Sequence, residues 1–348
     1  MTFVRRLLIA AAVALVAPGS ALAAGTGMAP LRPARLLEPA RSFRDTILRH
    51  APARTPQARN DAEATYATTD GMTVHVIFAG LSAPDAVAGQ STADFLDSLL
   101  HGPELSTLTV DLAPFVSIQR TCGIQALACY FPSRRTLYIP TALPVAVDVP
   151  LEQILAHEYG HHVAESRTNA PWTAVDWGPK RWATYMGVCP HTFAGEMFPG
   201  DEGAAYELNP GEGWAEAFRF ANSLRIGTWR DIGWPIVDDV FRPNQTALDL
   251  VAKDVLEPWS ASPPRPQLKG SLRKGQARRV RIATPLDGMT TAAVTGPAGI
   301  RLAYDTGRSK RQSANGRSAA ATVCGARTTT LTLKTRRAGR FVLTYSIP

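Results

Sequence analysis

The stretch ILAHEYGHHV, residues 154–163, decides the fold of this chain. It places three of the seven histidines, together with Glu158, inside an otherwise apolar helical pattern. On an α-helix, His157 and His161 are four residues apart, so both imidazoles project from one face and can share one metal ion. Glu158 is rotated by about 100° from His157, which places its carboxylate beside that ion. The spacing H-E-x-x-H therefore predicts a metal site with Glu158 as the general base of a hydrolase.

A catalytic zinc ion needs a third protein ligand and one position left open. The best source is ELNPGEGWAEAFRFANSL, residues 207–224, in which Asn209 is the expected cap of a second helix. Glu212 and Glu216 then lie one turn apart on a shared face. Two carboxylates beside an apolar stripe are costly unless a positive group faces them. We therefore expect Glu212 to be the third zinc ligand and Glu216 to accept a hydrogen bond that orients His157.

For Glu212, His162 and Gly160, purely structural roles stay open. Glu212 occupies the capping-box position relative to Asn209 and can simply bond to the backbone. His162 lies off the ligand face, which favours a histidine that supports a ligand or lies at the surface over one that binds the metal. Gly160 interrupts the histidine helix at a cost of about 1 kcal/mol against alanine, which predicts close packing of the two helices near the metal.

HEYGHH followed by NPGEGWAEAF resembles the zinc site of the gluzincin, or thermolysin-like, metallopeptidases. The resemblance covers residues 151–224. It implies a zincin-like α+β catalytic domain, one catalytic Zn²⁺ and hydrolysis of a peptide or protein substrate. Pro-Gly before Glu212, and Glu216 where aspartate is usual, indicate a distant branch. The metzincin pattern is excluded because it requires glycine and histidine where this chain has Ala164 and Arg167.

Such a reaction also needs a donor that stabilises the oxyanion. Tyr206 and His191 are candidates because both lie near the glutamate helix in sequence. Tyrosine and histidine side chains are, however, more often packed in the interior or exposed at the surface than catalytic.

The segments around the two helices predict an α+β order followed by an all-β part. MTVHVIF (72–78), LTVDLAPFVSIQ, ACYF and TLYIP favour strands, and residues 91–102 favour a helix. Asp148 is the expected cap of the histidine helix. Beyond residue 265, short alternating segments favour a small antiparallel β-sandwich, which weakly resembles those appended to secreted bacterial peptidases.

Charge divides the chain into bodies of opposite sign. Residues 61–264 hold 11 Lys and Arg against 25 Asp and Glu, a net charge of −14. Residues 265–348 hold 17 Lys and Arg against two Asp, a net charge of +15. The expected organisation is a signal peptide (1–24), an Arg/Pro-rich arm or propeptide (25–60), the zinc metallopeptidase domain (61–256), a Pro-rich linker (257–267) and a basic β-sandwich domain (268–348).

The amino terminus predicts export. Arg5 and Arg6 precede an apolar run over 7–16 and the small-residue pattern Ala21-Leu22-Ala23, as in a cleavable secretory signal. We therefore expect a secreted protein without a transmembrane span in the mature chain. Four cysteines in an exported chain favour disulfides. Cys122 with Cys129 and Cys189 with Cys324 form one of three possible pairings.

The basic C-terminal domain suggests an anionic cell-envelope surface as partner. Nucleic acid is not expected, because aromatic stacking platforms are nearly absent there and the protein is exported. An arginine-rich solvated face that binds nothing is the alternative. Two other functions compete with the peptidase: a cell-envelope (peptidoglycan) amide hydrolase, and a non-catalytic zinc-binding surface protein.

Overall fold

A five-stranded mixed sheet begins the fold in the computed structural model, which describes residues 46, 47, 49, 61–227, 230–260, 266–305, 310–311 and 316–348. Its strands are β1 (Ala62–Ala67), β2 (Thr73–Phe78), β3 (Thr109–Ala113), β4 (Cys129–Phe131) and β5 (Thr136–Pro140), in the order β1-β2-β3-β5-β4. Strands β2, β3 and β5 are parallel, whereas β1 and β4 run antiparallel to their neighbours. The predicted mixed sheet is therefore confirmed.

Eight helices accompany this sheet in the described part of the chain. They are α1 (Ala86–Ser98), α2 (Phe115–Cys122), α3 (Leu151–Glu165), α4 (Ala174–Trp177), α5 (Lys180–Tyr185), α6 (Val188–Ala194), α7 (Pro210–Ile226) and α8 (Gln245–Leu256). A small hairpin of β6 (Thr168–Asn169) and β7 (Trp172–Thr173) follows α3. Buried residues of the sheet, α3 and α7 form one hydrophobic core. None of the described helices is long and apolar enough to cross a bilayer.

Three local expectations from the sequence are wrong. Helix α1 begins at Ala86, because the side chain of Asp85 accepts hydrogen bonds from the next turn and caps it earlier than residue 91. Residues after Pro114 form helix α2 instead of continuing a strand. Asp148 does not cap α3, since its carboxylate pairs with Arg230 at 2.8 Å and Pro150 occupies the cap position.

Helices α3 and α7 pack tightly at Gly160. A Cβ at this position would lie 3.0 Å from Cα of Ala215 and 3.3 Å from Cβ of Phe218. The indole of Trp214 donates a hydrogen bond to the carbonyl of Gly160 at 3.0 Å. The close approach predicted from this mid-helix glycine is confirmed, and it brings the side chains of the two helices together.

Two four-stranded antiparallel sheets form the remainder of the described chain. One has the order β13-β10-β15-β8 and the other β12-β11-β14-β9. Side chains of both sheets share a second hydrophobic core, as the predicted β-sandwich requires. The strands are β8 (Gln267–Leu272), β9 (Ala277–Thr284), β10 (Gly288–Thr295), β11 (Arg301–Asp305), β12 (Lys310–Arg311), β13 (Ser318–Val323), β14 (Arg327–Lys334) and β15 (Gly339–Tyr345).

Both disulfides of the chain are formed. Cys122 pairs with Cys129, and Cys189 pairs with Cys324, which joins α6 to the end of β13. Two disulfides fit an extracellular or periplasmic protein. Residues 42–348 belong to one compact unit that contains both cores. The proposed domain boundaries stay predictions.

The predicted signal peptide, residues 1–24, lies outside the described residues, as does most of the predicted arm, residues 25–60. Ile47 is an exception: it forms a β-bridge with Tyr130 on strand β4, and its N–H donates to Glu202 at 3.2 Å. Ile47 is only 2% exposed. At this residue the chain is packed against the fold, and the assignment of residues 25–60 as an arm or propeptide stays a prediction.

Candidate metal centre

The structure brings His157, His161 and Glu212 together at the contact of α3 and α7. Oε2 of Glu212 lies 3.2 Å from Nε2 of His157 and 3.4 Å from Nε2 of His161. One ligand atom from each residue lies within 4.8 Å of the other two. All three side chains are fully buried. The helical spacing of the histidines and the cap of α7 at Asn209 place these donors.

This donor set fits a zinc ion. Ligand atoms about 2.0–2.1 Å from a tetrahedral ion are about 3.3–3.4 Å apart, which matches the two distances from Glu212 to the imidazoles. Two imidazole nitrogens and one carboxylate oxygen are also a donor set used by catalytic zinc. A cation among them would offset the cost of burying the carboxylate.

Glu216 lies behind His157 and away from the shared donor atoms. Its Oε2 is 3.3 Å from Nδ1 of His157, the contact expected of it. Arg219 donates to both oxygens of the same carboxylate, at 2.8 and 2.7 Å. Burial alone would raise the pKa of Glu216, but Arg219 and the hydrogen bond with His157 outweigh burial and lower it. Glu216 is therefore a carboxylate suited to accept a hydrogen bond from Nδ1–H of His157. This tautomer leaves Nε2 free to bind a cation.

Sequence reasoning missed Arg219 and the groups around it. This guanidinium is fully buried and also donates to Oε1 of Gln153 and, at 3.2 Å, to Oδ1 of Asp231. Burial alone would lower the pKa of Arg219, but the carboxylates of Glu216 and Asp231 outweigh burial and raise it. A signal was present, because an arginine three residues after Glu216 can pair with it on a helix. Gln153 and Asp231 offered none, since their approach depends on the tertiary fold.

The remaining catalytic candidates fall in different places. Glu158 is fully buried within α3, next in sequence to His157. The hydroxyl of Tyr206 donates to Oε2 of Glu212 at 3.0 Å, so this phenol lies beside the candidate metal ligands. His191 is on α6, where its ring pairs with Glu196 at 2.6 Å and 42% of its side chain is exposed. The structure brings Tyr206 to the cluster and leaves His191 at the surface.

His162 is neither a ligand nor a surface residue. Its Nε2 lies 2.9 Å from the carbonyl oxygen of Glu104, so this nitrogen must carry the hydrogen. Its Nδ1, 3.0 Å from the hydroxyl of Tyr130, then accepts. Burial lowers the pKa of His162 to about 4. The ring is a neutral structural imidazole that joins α3 to strand β4 and to the segment after α1.

A second group, Asp70, Asp97 and His101, also has the spacing of a cation site. Nε2 of His101 lies 3.6 Å from Asp97 and 3.7 Å from Asp70. Asp70 belongs to the turn between β1 and β2, whereas Asp97 lies in the last turn of α1 and His101 follows the end of that helix. Sequence reasoning missed the group because a hairpin turn and a helix end meet only in the fold. Its partial exposure distinguishes it from the buried cluster.

Comparison with known proteins does not assign this chain to a family. No protein-family model matches the chain, and no curated protein matches it. Among solved structures, a periplasmic inhibitor of g-type lysozyme from Aeromonas hydrophila is similar at 12% identity, with a TM-score of 0.22. The match covers 26% of this chain and 91% of the inhibitor. A similarity at that TM-score carries no argument, and the gluzincin resemblance stays a prediction.

Proposed function

We propose that this protein is a secreted zinc-dependent metallopeptidase. The observation that supports the proposal is the convergence of His157, His161 and Glu212 at the spacing of a tetrahedral ion, with Glu158 next to the first ligand. A site that only holds zinc has no need of that glutamate. The retained Glu158 therefore favours a hydrolase.

The chain's own residues divide the chemistry between them. His157, His161 and Glu212 would hold a divalent ion, which would supply Lewis acidity toward a carbonyl oxygen. Glu158 takes a proton from the attacking water and later gives it to the leaving amine. The Tyr206 hydroxyl, 3.0 Å from Glu212, can turn to donate to the oxyanion of the tetrahedral species. Glu216 holds His157 in the tautomer that leaves its Nε2 lone pair free.

The experiment combines metal analysis with a peptide-library cleavage assay. We expect about one zinc ion per wild-type chain and cleavage that chelators abolish and zinc restores. Glu158→Gln should retain the metal and lose at least about 100-fold in kcat, because the general base is gone. Glu212→Ala should lose the metal. Glu196→Gln, which removes a surface carboxylate, should change neither property. Hydrolysis that survives chelation contradicts the proposal.

Full burial of every ligand favours a second candidate, a non-catalytic protein that keeps zinc for structural purposes. His157, His161, Glu158 and Glu212 are all 0% exposed. Structural zinc sites are closed, whereas catalytic sites keep a position for water or substrate. The Glu158→Gln variant separates the two functions. If Glu158→Gln retains both the metal and the biological activity of the wild type, zinc has a structural role and the protein is not a metallopeptidase.

A further inference from the structure

Among the residues whose side chains the structure describes, four cations occupy the outward face of the sheet that contains β9, β11 and β14. They are Arg279, Arg281, Arg301 and Lys334, and all four are exposed. The intervening residues of these strands, such as Leu302 and Leu333, are buried in the second core. Strand alternation therefore directs the cations to one side and the apolar side chains to the other.

Strand register places the cations close together. Arg301 stands directly opposite Lys334, and Arg279 and Arg281 stand opposite Thr332 and Thr330. Residues two apart on a strand repeat every 6.6 Å or so, and neighbouring strands are about 4.8 Å apart. The four charges thus form a band across three strands, at intervals of about 5–10 Å.

The fold does not neutralise this band. Like charges directly opposite each other, as at Arg301 and Lys334, destabilise a sheet. Within the ranges that the structure describes, none of the four cations forms an ion pair. Asp287 is buried, and Asp305 is the one carboxylate on the same face. An excess of positive charge remains for an external partner.

The chemistry of the face selects among anionic partners. Threonines 328, 330 and 332 alternate along β14 on the same side, and Thr330 and Thr332 lie directly opposite Arg281 and Arg279. Among the described residues, this face carries no aromatic ring on which a base could stack. In the described parts of its strands, it also carries no large apolar side chain that could enter a bilayer. Cations spaced with hydroxyls instead match an extended sugar polymer that bears regularly spaced acidic groups.

We propose that this face binds an acidic polysaccharide. The sugar hydroxyls bond to the threonines, and the carboxylate, sulfate or phosphate groups pair with the arginines and the lysine. The inference is independent of the proposed metal site, since it uses only residues on the outward face of strands β9, β11 and β14.

The test measures binding of the chain from residue 25 onward to dextran sulfate, carboxymethyl dextran and neutral dextran over a range of sodium chloride concentrations. The wild type should bind both acidic polymers and ignore the neutral one, and their relative affinities identify the preferred acidic group. Replacing Arg279 and Arg281 by glutamine should weaken binding at least about 10-fold. It should also reduce the slope of log affinity against log salt by about two, because two fewer counter-ions are released.

The matched control removes the same charge from the other sheet. Lys269 and Arg340 are exposed on β8 and β15, and their replacement by glutamine should change the affinity less than two-fold. Arg279→Lys with Arg281→Lys should retain binding, which shows that charge is required. If both double glutamine variants lose affinity equally, binding depends on the net charge of the protein and not on this face, and the proposal is overturned. Tighter binding of duplex DNA than of either acidic dextran would also overturn it and assign the face to nucleic acid.

Discussion

Nδ1 of His157 lies 3.3 Å from Oε2 of Glu216, at the end of a fully buried chain of contacts that continues to Arg219. The carboxylate thus joins the proposed metal ligand to a guanidinium. Since Arg219 lowers the pKa of Glu216 against the effect of burial, the link is ionic. Stability and metal affinity are therefore expected to depend on the same residue for different reasons.

Glu216→Gln should reduce both properties. We expect a loss of about 3–5 kcal/mol in the free energy of unfolding, because Arg219 is left buried without its main counter-charge. Zinc affinity should fall about 10- to 100-fold, because an amide orients His157 less strongly than a carboxylate. Chemical denaturation of the metal-free protein measures the first effect, and competition with a chelator measures the second.

The double variant Glu216→Gln with Arg219→Met separates the two effects. Removing the buried cation should recover much of the stability, whereas zinc affinity should stay low. If the double variant binds zinc as the wild type does, Glu216 has a structural role only and does not position His157.

Gly160→Ala should destabilise the protein although alanine favours helices by about 1 kcal/mol. The added Cβ would lie 3.0 Å from Cα of Ala215, and backbone cannot move aside as a flexible side chain can. Separating α3 from α7 should cost about 1–3 kcal/mol and weaken zinc binding as well. Thermal unfolding and chelator competition test this, and an increase in Tm would show that the helix contact is looser than described.

Lys180 should make stability depend on pH above neutrality. Its Nζ donates to the carbonyl of Ala170 at 2.6 Å and lies 4.7 Å from the ring centre of Trp259. Burial lowers its pKa to about 8, and Asp287, the charged group that faces it, only partly offsets this. Between pH 8 and 10.5 the unfolded chain therefore holds a proton that the folded chain has released.

The free energy of unfolding should accordingly rise by about 2–3 kcal/mol from pH 7 to pH 10 relative to Lys180→Met, in which this residue cannot titrate. Urea denaturation at pH 7, 8.5 and 10 measures the difference between the two proteins. A constant difference across that range would contradict the lowered pKa.

The two disulfides should contribute unequally. Cys189 and Cys324 are 135 residues apart, and Cys122 and Cys129 are seven apart. If the main effect is the entropy of the unfolded chain, replacing the long-range pair by serine should cost about 5 kcal/mol and the short-range pair about 2 kcal/mol. Denaturation of the two double-serine variants compares them. A larger loss from the short-range pair would show that loop length does not control their contributions.

Local chemistry explains which features could be predicted from sequence. The positions of His157, Glu158 and His161 follow from the 3.6-residue period, and the start of α7 follows from the Asn209 cap and the proline after it. The helix at α2 was missed because its apolar residues suit a strand equally well. Only its packing on β5 and the disulfide at Cys122 decide between the two.

Spacing along the chain determined that two imidazoles share one helix face and that two carboxylates share another, since both relationships lie within a few residues. The sequence also predicted that the two faces meet, from the glycine at position 160 and from the need for a third ligand. Only the tertiary structure decided that Arg219 enters with Gln153 and that His162 points to Tyr130 and Glu104. These contacts join residues up to 66 positions apart. Such pairings depend on how whole elements pack, and no local pattern in the sequence contains that information.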